Sequence, residues 1–386
     1  MKKILYIASC NLYKRTGGGL ANLAYYNALI SLFPNQIDIA LAQEFCKNGE
    51  KHTIKIPKRS LLSKCLYLLK GQLDRNKHFF SSFLSKNSNK YELCIINGGL
   101  YAGGLVSLFH KYGIKVIVIH HNFEREYHLD NKSILTLFGL SPYLIIRKEK
   151  KAYLQSDLNC FLTIKDIELF ENYYGLRTGK NELLGVFEPC NKSSQNLQYE
   201  NHFLNKKNKI VITGSLNSYQ TIDGISDFIT NYFPITKDLL KNFCIIVAGR
   251  NPNKFLFDIQ NMNSDCFKVI PNPLNMDEVV KNADIFCCPT KIGGGLKLRV
   301  MDGLKLGLPI IVHEKSARGY EMFLGKPYFK IYNNRESFKE GLSSLLNYIN
   351  SHHKFKEEII TIYDKYFSFN SGCTRLFNII SKFKKN

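Results

Sequence analysis

Residues 293–302 read GGGLKLRVMD, which places three glycines, two cations and one carboxylate in ten residues. That set suits an anion with hydroxyl groups attached to it. Glycine lets the backbone approach an anion closely, with several N–H groups aimed at it. Gly293, Gly294, Gly295 and Leu296 offer backbone, Lys297 and Arg299 offer charge, and Asp302 can accept from a pair of hydroxyls such as a ribose diol. The sequence predicts a helix from about Leu296 to Leu306, capped by Gly307 and stopped by Pro309. Its N-terminus would add partial positive charge. Side chains lean toward a helix N-terminus, so Lys297 is expected to reach the anion held by the glycines. Asp302 would sit about 140° further round and meet another part of the ligand.

Other residues of the same kind stand elsewhere. Arg250 closes the apolar run FCIIVAGR (243–250) and is a third cation for the same anion. TGGGL (16–20) repeats the glycine pattern with Gly18 and Gly19. VIVIHHNFERE (116–126) ends an apolar run in His120 and His121, followed by Asn122, Glu124 and Glu126. Successive strand residues point to opposite faces, so only one of the two histidines can face a site. A histidine there can bind a hydroxyl or take a proton.

The elements that must position these residues follow from hydrophobic pattern. Short apolar runs at 2–9, 37–43, 91–99 and 114–122 read as buried parallel strands, and 20–33 as a helix ended by Pro34. Strand, glycine loop, helix and strand is the grammar of a parallel α/β sheet. A polar stretch with Pro, Ser and many Asn breaks the pattern, and the linker is placed at 191–208. The grammar then restarts with strands at 209–215, 243–250, 266–271, 283–290 and 308–314. The expected organisation is an N-terminal domain (1–190), the linker, a C-terminal domain (209–351) and a helical tail (352–386) that packs back on the N-terminal domain. Tandem domains of this kind hold ligands in a cleft at the carboxyl ends of their strands.

Composition narrows the function classes. Lys and Arg number 53 against 32 Asp and Glu, a net charge of +21. Nucleic acid, an anionic membrane and an anionic substrate each account for such an excess. No helix-turn-helix, RNA-binding or zinc pattern occurs, so nucleic acid is not the expected partner. Residues 58–90 carry eight Lys and Arg and one acid, interleaved with Leu, Tyr and Phe. They read as basic amphipathic helices suited to an anionic membrane surface. The 11 cysteines include no CxxC pair and fall largely in apolar runs, as in a reducing cytosol. IASC (7–10) follows too short an apolar stretch for a signal peptide and reads as part of a first buried strand.

These stretches together resemble the GT-B glycosyltransferases of the retaining, group 1 (GT4-like) kind. VITGSLNSYQTIDGISDFI (211–229), IIVAGRNP (245–252) and PTKIGGGLKLRVMDGLKLGLPIIVHEKSARGYE (289–321) carry the resemblance. It implies two Rossmann-like, doubly wound domains facing a central cleft. It implies a nucleotide diphosphate sugar as donor and a glycan or lipid-linked acceptor, in the synthesis of bacterial surface glycans. No cofactor is implied, and no Asp-x-Asp metal motif occurs. Gly18, Gly19, Asn122 and Glu124 would border the cleft and the acceptor, with His121 favoured over His120. Lys297 and His121 would be the catalytic groups. The family's pattern has two glutamates; here the second position is Asp302 and the first is Gly294, which removes one contact to the donor sugar. The rivals are an inverting transferase or nucleotide-sugar epimerase with His121 as base, a basic nucleic-acid-binding protein, and an inactive sugar-binding relative. The expected location is cytoplasmic, at the inner face of a membrane.

Overall fold

The computed structural model describes residues 2–8, 11–12, 17–46, 52–58, 76–126, 140–190, 208–352 and 354–385. The chain forms two compact units. One is Met1–Asn191 with Phe367–Asn386, and the other is Lys192–Tyr366.

The first unit is built on seven parallel strands: β1 (Lys3–Ala8), β2 (Ile37–Ala42), β3 (Thr53–Ile56), β4 (Tyr91–Asn97), β5 (Lys115–His120), β6 (Leu158–Phe161) and β7 (Asn181–Leu183). Their order in the sheet is β3-β2-β1-β4-β5-β6-β7. β1 pairs with β2 in the register Tyr6↔Ile39 and with β4 in the register Tyr6↔Ile95. The central strands are apolar on both faces because helices cover both. Ile4, Leu5, Tyr6 and Ile7 are accordingly all buried.

The second unit repeats the plan with six parallel strands: β8 (Lys209–Ser215), β9 (Cys244–Arg250), β10 (Phe267–Pro271), β11 (Ile285–Cys288), β12 (Ile310–His313) and β13 (Phe329–Tyr332). Their order is β10-β9-β8-β11-β12-β13. Its core joins Ile210, Ile212, Val247 and Ile285 of the sheet to Phe228, Tyr232 and Phe338 from the covering helices. In both units the order reverses beside the first strand, between β1 and β4 and between β8 and β11. That is the doubly wound arrangement, with its ligand-binding gap at the carboxyl ends of those strands.

Three expectations need correction. The strands β3, β6, β7 and β13 add to those read from the sequence. The helix after β1 begins at Gly17, so the glycines form its first turn and not the loop before it. The tail expected from residue 352 divides in two. Its first helix, Phe355–Phe367, packs within the second unit as far as Tyr366, where Tyr328 donates to Glu358 at 3.1 Å. Only the helix Phe369–Lys385 joins the first unit. There Arg375 donates to the Leu184 carbonyl at 2.8 Å, Lys382 pairs with Glu182 at 2.6 Å, and Phe377 stacks on Phe33.

Most of the basic stretch 58–90, residues 59–75, lies outside the described residues, as does 191–207 of the linker. The helix Lys77–Asn87 turns Phe80 and Leu84 into the core of the first unit, with Phe79 and Phe83 packed beside them. Its apolar face is thus used internally. Among the described residues, no helix is long and apolar enough to cross a membrane.

Gly372 marks the seat of the last helix. A Cβ there would overlap the Phe187 ring. Overpacking of this kind costs about 1–3 kcal/mol. Gly372→Ala is expected to lower the thermal unfolding midpoint measured by circular dichroism; an unchanged midpoint would show that this helix seats loosely.

Candidate functional site

In the second unit the site is assembled at the β8/β11 reversal. β11 ends at Cys288, and the chain passes through Pro289, Thr290 and Lys291 into the glycines. The start of that loop is anchored twice. Lys291 forms an ion pair with Asp227 at 2.7 Å, and Ser316 donates to the Thr290 carbonyl at 2.5 Å. Gly293 (φ +82°) and Gly295 (φ +71°) occupy the left-handed region, which other residues rarely adopt. The Gln220 side chain fills the space a Cβ on Gly293 would need. Tyr320, fully buried, donates to the Lys297 carbonyl at 2.8 Å.

The helix after the loop runs over Arg299–Lys305, three residues later than the sequence suggests. Lys297 therefore precedes it, and Asp302 lies in its first turn. The Lys297 ammonium donates to the carbonyls of Gly293 at 2.6 Å and Gly294 at 3.0 Å. In a trans peptide the N–H points opposite to the C=O. The N–H groups of Gly294 and Gly295 thus aim away from Lys297. Lys297 braces the loop, and it does not converge with those N–H groups on one anion as expected.

Arg299 takes the forward place. Its guanidinium lies over Gly214, near the end of β8, where a Cβ would come within 2.7 Å of Cζ. Gly214 pairs in register with Gly249 of β9, so two adjacent strands lack side chains at this edge. Burial lowers the Arg299 pKa, and the neighbouring Asp302 carboxylate opposes that shift. Three residues apart on a helix, Arg299 and Asp302 share a face. Gly303 lets this helix lie on the sheet, since a Cβ there would fall 2.6 Å from the Phe286 ring. Gly294 and Gly295 are buried, and Leu296 is half-buried. Arg250 ends β9 at the same carboxyl edge, exposed and in register with Ser215.

The first unit carries the second constellation, at the β1/β4 reversal. The two histidines separate as strand alternation requires. His120 is a core residue: it stacks on Phe161 at 5.1 Å, packs on Phe170 at 4.6 Å, and bonds Asn159 at 2.9 Å through Nε2. His121, at the strand end, bonds Asn97. Burial pulls both imidazoles down to about 4, so both are neutral at pH 7. Asn97 joins a buried group with Tyr6 and Asn22, and Asn22 donates to the Gly18 carbonyl at 2.8 Å. Gly19 is buried beside it.

The loop after His121 is held from behind. Glu149, fully buried, accepts from the Glu124 N–H at 2.6 Å and from the Tyr174 hydroxyl at 2.7 Å. Asn122 bonds the Glu124 carboxyl. Burial pushes the Glu149 carboxyl up to about 8 and that of Glu124 to about 7. Sequence reasoning missed Gly214, Tyr320, Asn22, Asn97 and Glu149. The polar Asn22 within the apolar helix and Asn97 at the end of a buried strand were the available signals. Among the described residues, no group of three or more His, Cys, Asp and Glu is placed to hold a metal ion.

Two doubly wound units in tandem make up the GT-B fold. Residues 207–347, within the second unit, match the family described as glycosyl transferases group 1. Solved structures agree on the fold over the whole length. Sucrose-phosphate synthase of Thermosynechococcus elongatus is 10% identical with a TM-score of 0.69, covering 99% of each chain. A glycosyltransferase of Rickettsia africae is 11% identical with a TM-score of 0.66, covering 100% of this chain and 99% of the other. HepE of Anabaena, solved in complex with UDP, is 9% identical with a TM-score of 0.64, covering 98% of this chain and all of the other. No curated protein sequence matches the chain.

The buried Glu149 sets a pH dependence. The folded carboxyl holds its proton to about 8, whereas the unfolded one releases it near 4.5. The folded state binds more protons in that window, so stability falls as pH rises through it. The slope approaches about 1.4 kcal/mol per pH unit. Glu149→Gln cannot titrate. The difference in unfolding midpoint between this variant and the parent is expected to shift in the variant's favour from pH 5 to pH 8. A constant difference would show that Glu149 ionises without cost.

Proposed function

We propose that the enzyme transfers a sugar from a nucleoside diphosphate sugar to an acceptor hydroxyl, with retention of configuration. The observation that carries this reading is Arg299 laid over Gly214 at the β8/β11 reversal, beside the glycine loop. A diphosphate seated there would meet the guanidinium and the N–H groups of Gly294 and Gly295. Fixed donors of this kind stabilise charge as it develops on the leaving nucleoside diphosphate. Asp302, on the same helix face, would accept from the ribose hydroxyls. The scheme uses no metal ion, and the leaving phosphate helps to deprotonate the acceptor. HepE, similar in fold, is solved with UDP and glucose, which supports a uridine nucleotide as the first donor to try.

The acceptor in this reading is a growing bacterial surface glycan, lipid-linked and held at the inner face of a membrane. The net charge of +21 supports an anionic surface nearby. Gly294, in place of a carboxylate, leaves the donor sugar with one fewer protein contact.

Thermal-shift measurement with UDP, GDP, dTDP and ADP tests the reading. A nucleotide at 100 times its dissociation constant adds about 2.7 kcal/mol of stability. Failure of all four to stabilise the protein would refute a nucleotide donor. With the nucleotide that binds, Arg299→Ala is expected to lose about 1.5–3 kcal/mol, or roughly 10- to 150-fold in affinity. Asp302→Ala is expected to weaken the nucleotide while leaving inorganic pyrophosphate, which has no ribose, nearly unchanged. Equal losses for both ligands would reduce Asp302 to a support for Arg299.

A further inference from the structure

The buried amides of the first unit have a direction. The Gly18 carbonyl can only accept, so the Asn22 group 2.8 Å from it must be the NH2. The Asn22 oxygen therefore faces inward, toward Asn97 at 2.6 Å and the Tyr6 hydroxyl at 3.1 Å. Asn97 must in turn present its NH2, which donates to the Asn22 oxygen and, at 2.6 Å, to the Tyr6 oxygen. Both hydrogens of that NH2 are then used. The Asn97 oxygen is left facing His121 Nε2. An amide oxygen only accepts, so Nε2 carries the proton. On a neutral imidazole, Nδ1 then holds the lone pair.

We propose that Asn22 and Asn97 are positioning residues that lock His121 in its Nε2–H tautomer, so that Nδ1 serves as a hydrogen-bond acceptor for a substrate hydroxyl. The proposal rests on the sugar-transfer reading for the identity of that hydroxyl, but not for the tautomer. Asn22, Asn97 and Tyr6 are all fully buried. A buried amide turned the wrong way would set like groups against each other, at the cost of unmet hydrogen bonds. The polarity thus runs from a backbone carbonyl in the glycine-rich first turn of a helix, through two side chains, to a histidine just after β5.

The test uses the full chain labelled with [15N]histidine and long-range proton–nitrogen spectra, with His121→Gln assigning the signal. The parent protein is expected to show His121 as one neutral tautomer at pH 7, protonated on Nε2. A proton on Nδ1, a mixture of tautomers or an imidazolium would overturn the proposal. Asn22→Leu does not touch His121, yet it frees Asn97 to turn over, and a mixture of tautomers is expected. Tyr6→Phe removes a branch and leaves the chain from Gly18 intact, so a single tautomer is expected. His121 as pure in Asn22→Leu as in the parent would reduce the amides to core packing and overturn the proposal. If Asn22→Leu does not fold, Asn22→Ala, which admits water, carries the same expectation. All spectra are taken without substrate. Failure of every nucleotide to bind would therefore refute sugar transfer and leave the tautomer result standing.

Discussion

Each sheet changes direction once, and the sites depend on that change. Chain leaving β1 or β8 crosses one face of its sheet, while chain entering β4 or β11 comes from the other. The helices therefore diverge above the carboxyl ends of these neighbours and leave a gap that no side chain of the core fills. In each unit the functional candidates lie at that unit's own gap: Arg299 and the glycine loop after β11 in the second, His121 and Asn97 after β5 and at the end of β4 in the first. A parallel sheet wound in one direction only would leave no such gap.

Filling the gap with charge needs room in the backbone. Gly214 and Gly249 clear the edge of the second sheet, and Gly303 sets the Arg299 helix against Phe286. The loop is stiffened by partners of three kinds: the Lys291–Asp227 pair in front, the Lys297 ammonium on its carbonyls, and the Tyr320 hydroxyl behind. A site that must stabilise charge as it develops gains most from donors that do not need to reorganise. The first unit reaches the same end with neutral groups, amides and hydroxyls, in a space where burial removes the charge from both histidines.

Much of this was legible in the sequence. Central strands such as β1 and β9 are uninterrupted apolar runs because both faces are covered, and the glycine–cation–carboxylate run marked the second site. The strands that escaped notice are short and mostly at sheet edges. β7 has three residues, and β13 mixes the half-buried Lys330 with the exposed Ile331. The start of the Arg299 helix was misplaced because its glycines and Lys297 form a closed loop of their own, which propensity does not reveal. Alternation along β5 foretold that one histidine would be lost to the core. The Asn22–Asn97 pair was beyond reach, since its members stand 75 residues apart and meet only when helix and strand are in place.

The last helix adds a matter of timing. Residues 369–385 complete the first unit, burying Leu376, Ile379 and Ile380 and tying Arg375 to the Leu184 carbonyl. They are also synthesised after the whole of the second unit. On a translating ribosome, the second unit emerges as one continuous segment and can close as soon as it is clear of the exit tunnel. The first unit must wait, with the face of its first helix and the groove at Phe187 uncovered, while nearly two hundred further residues are added. Its maturation thus waits on the synthesis of residues 369–385, and factors that shield nascent apolar surfaces have that interval in which to act.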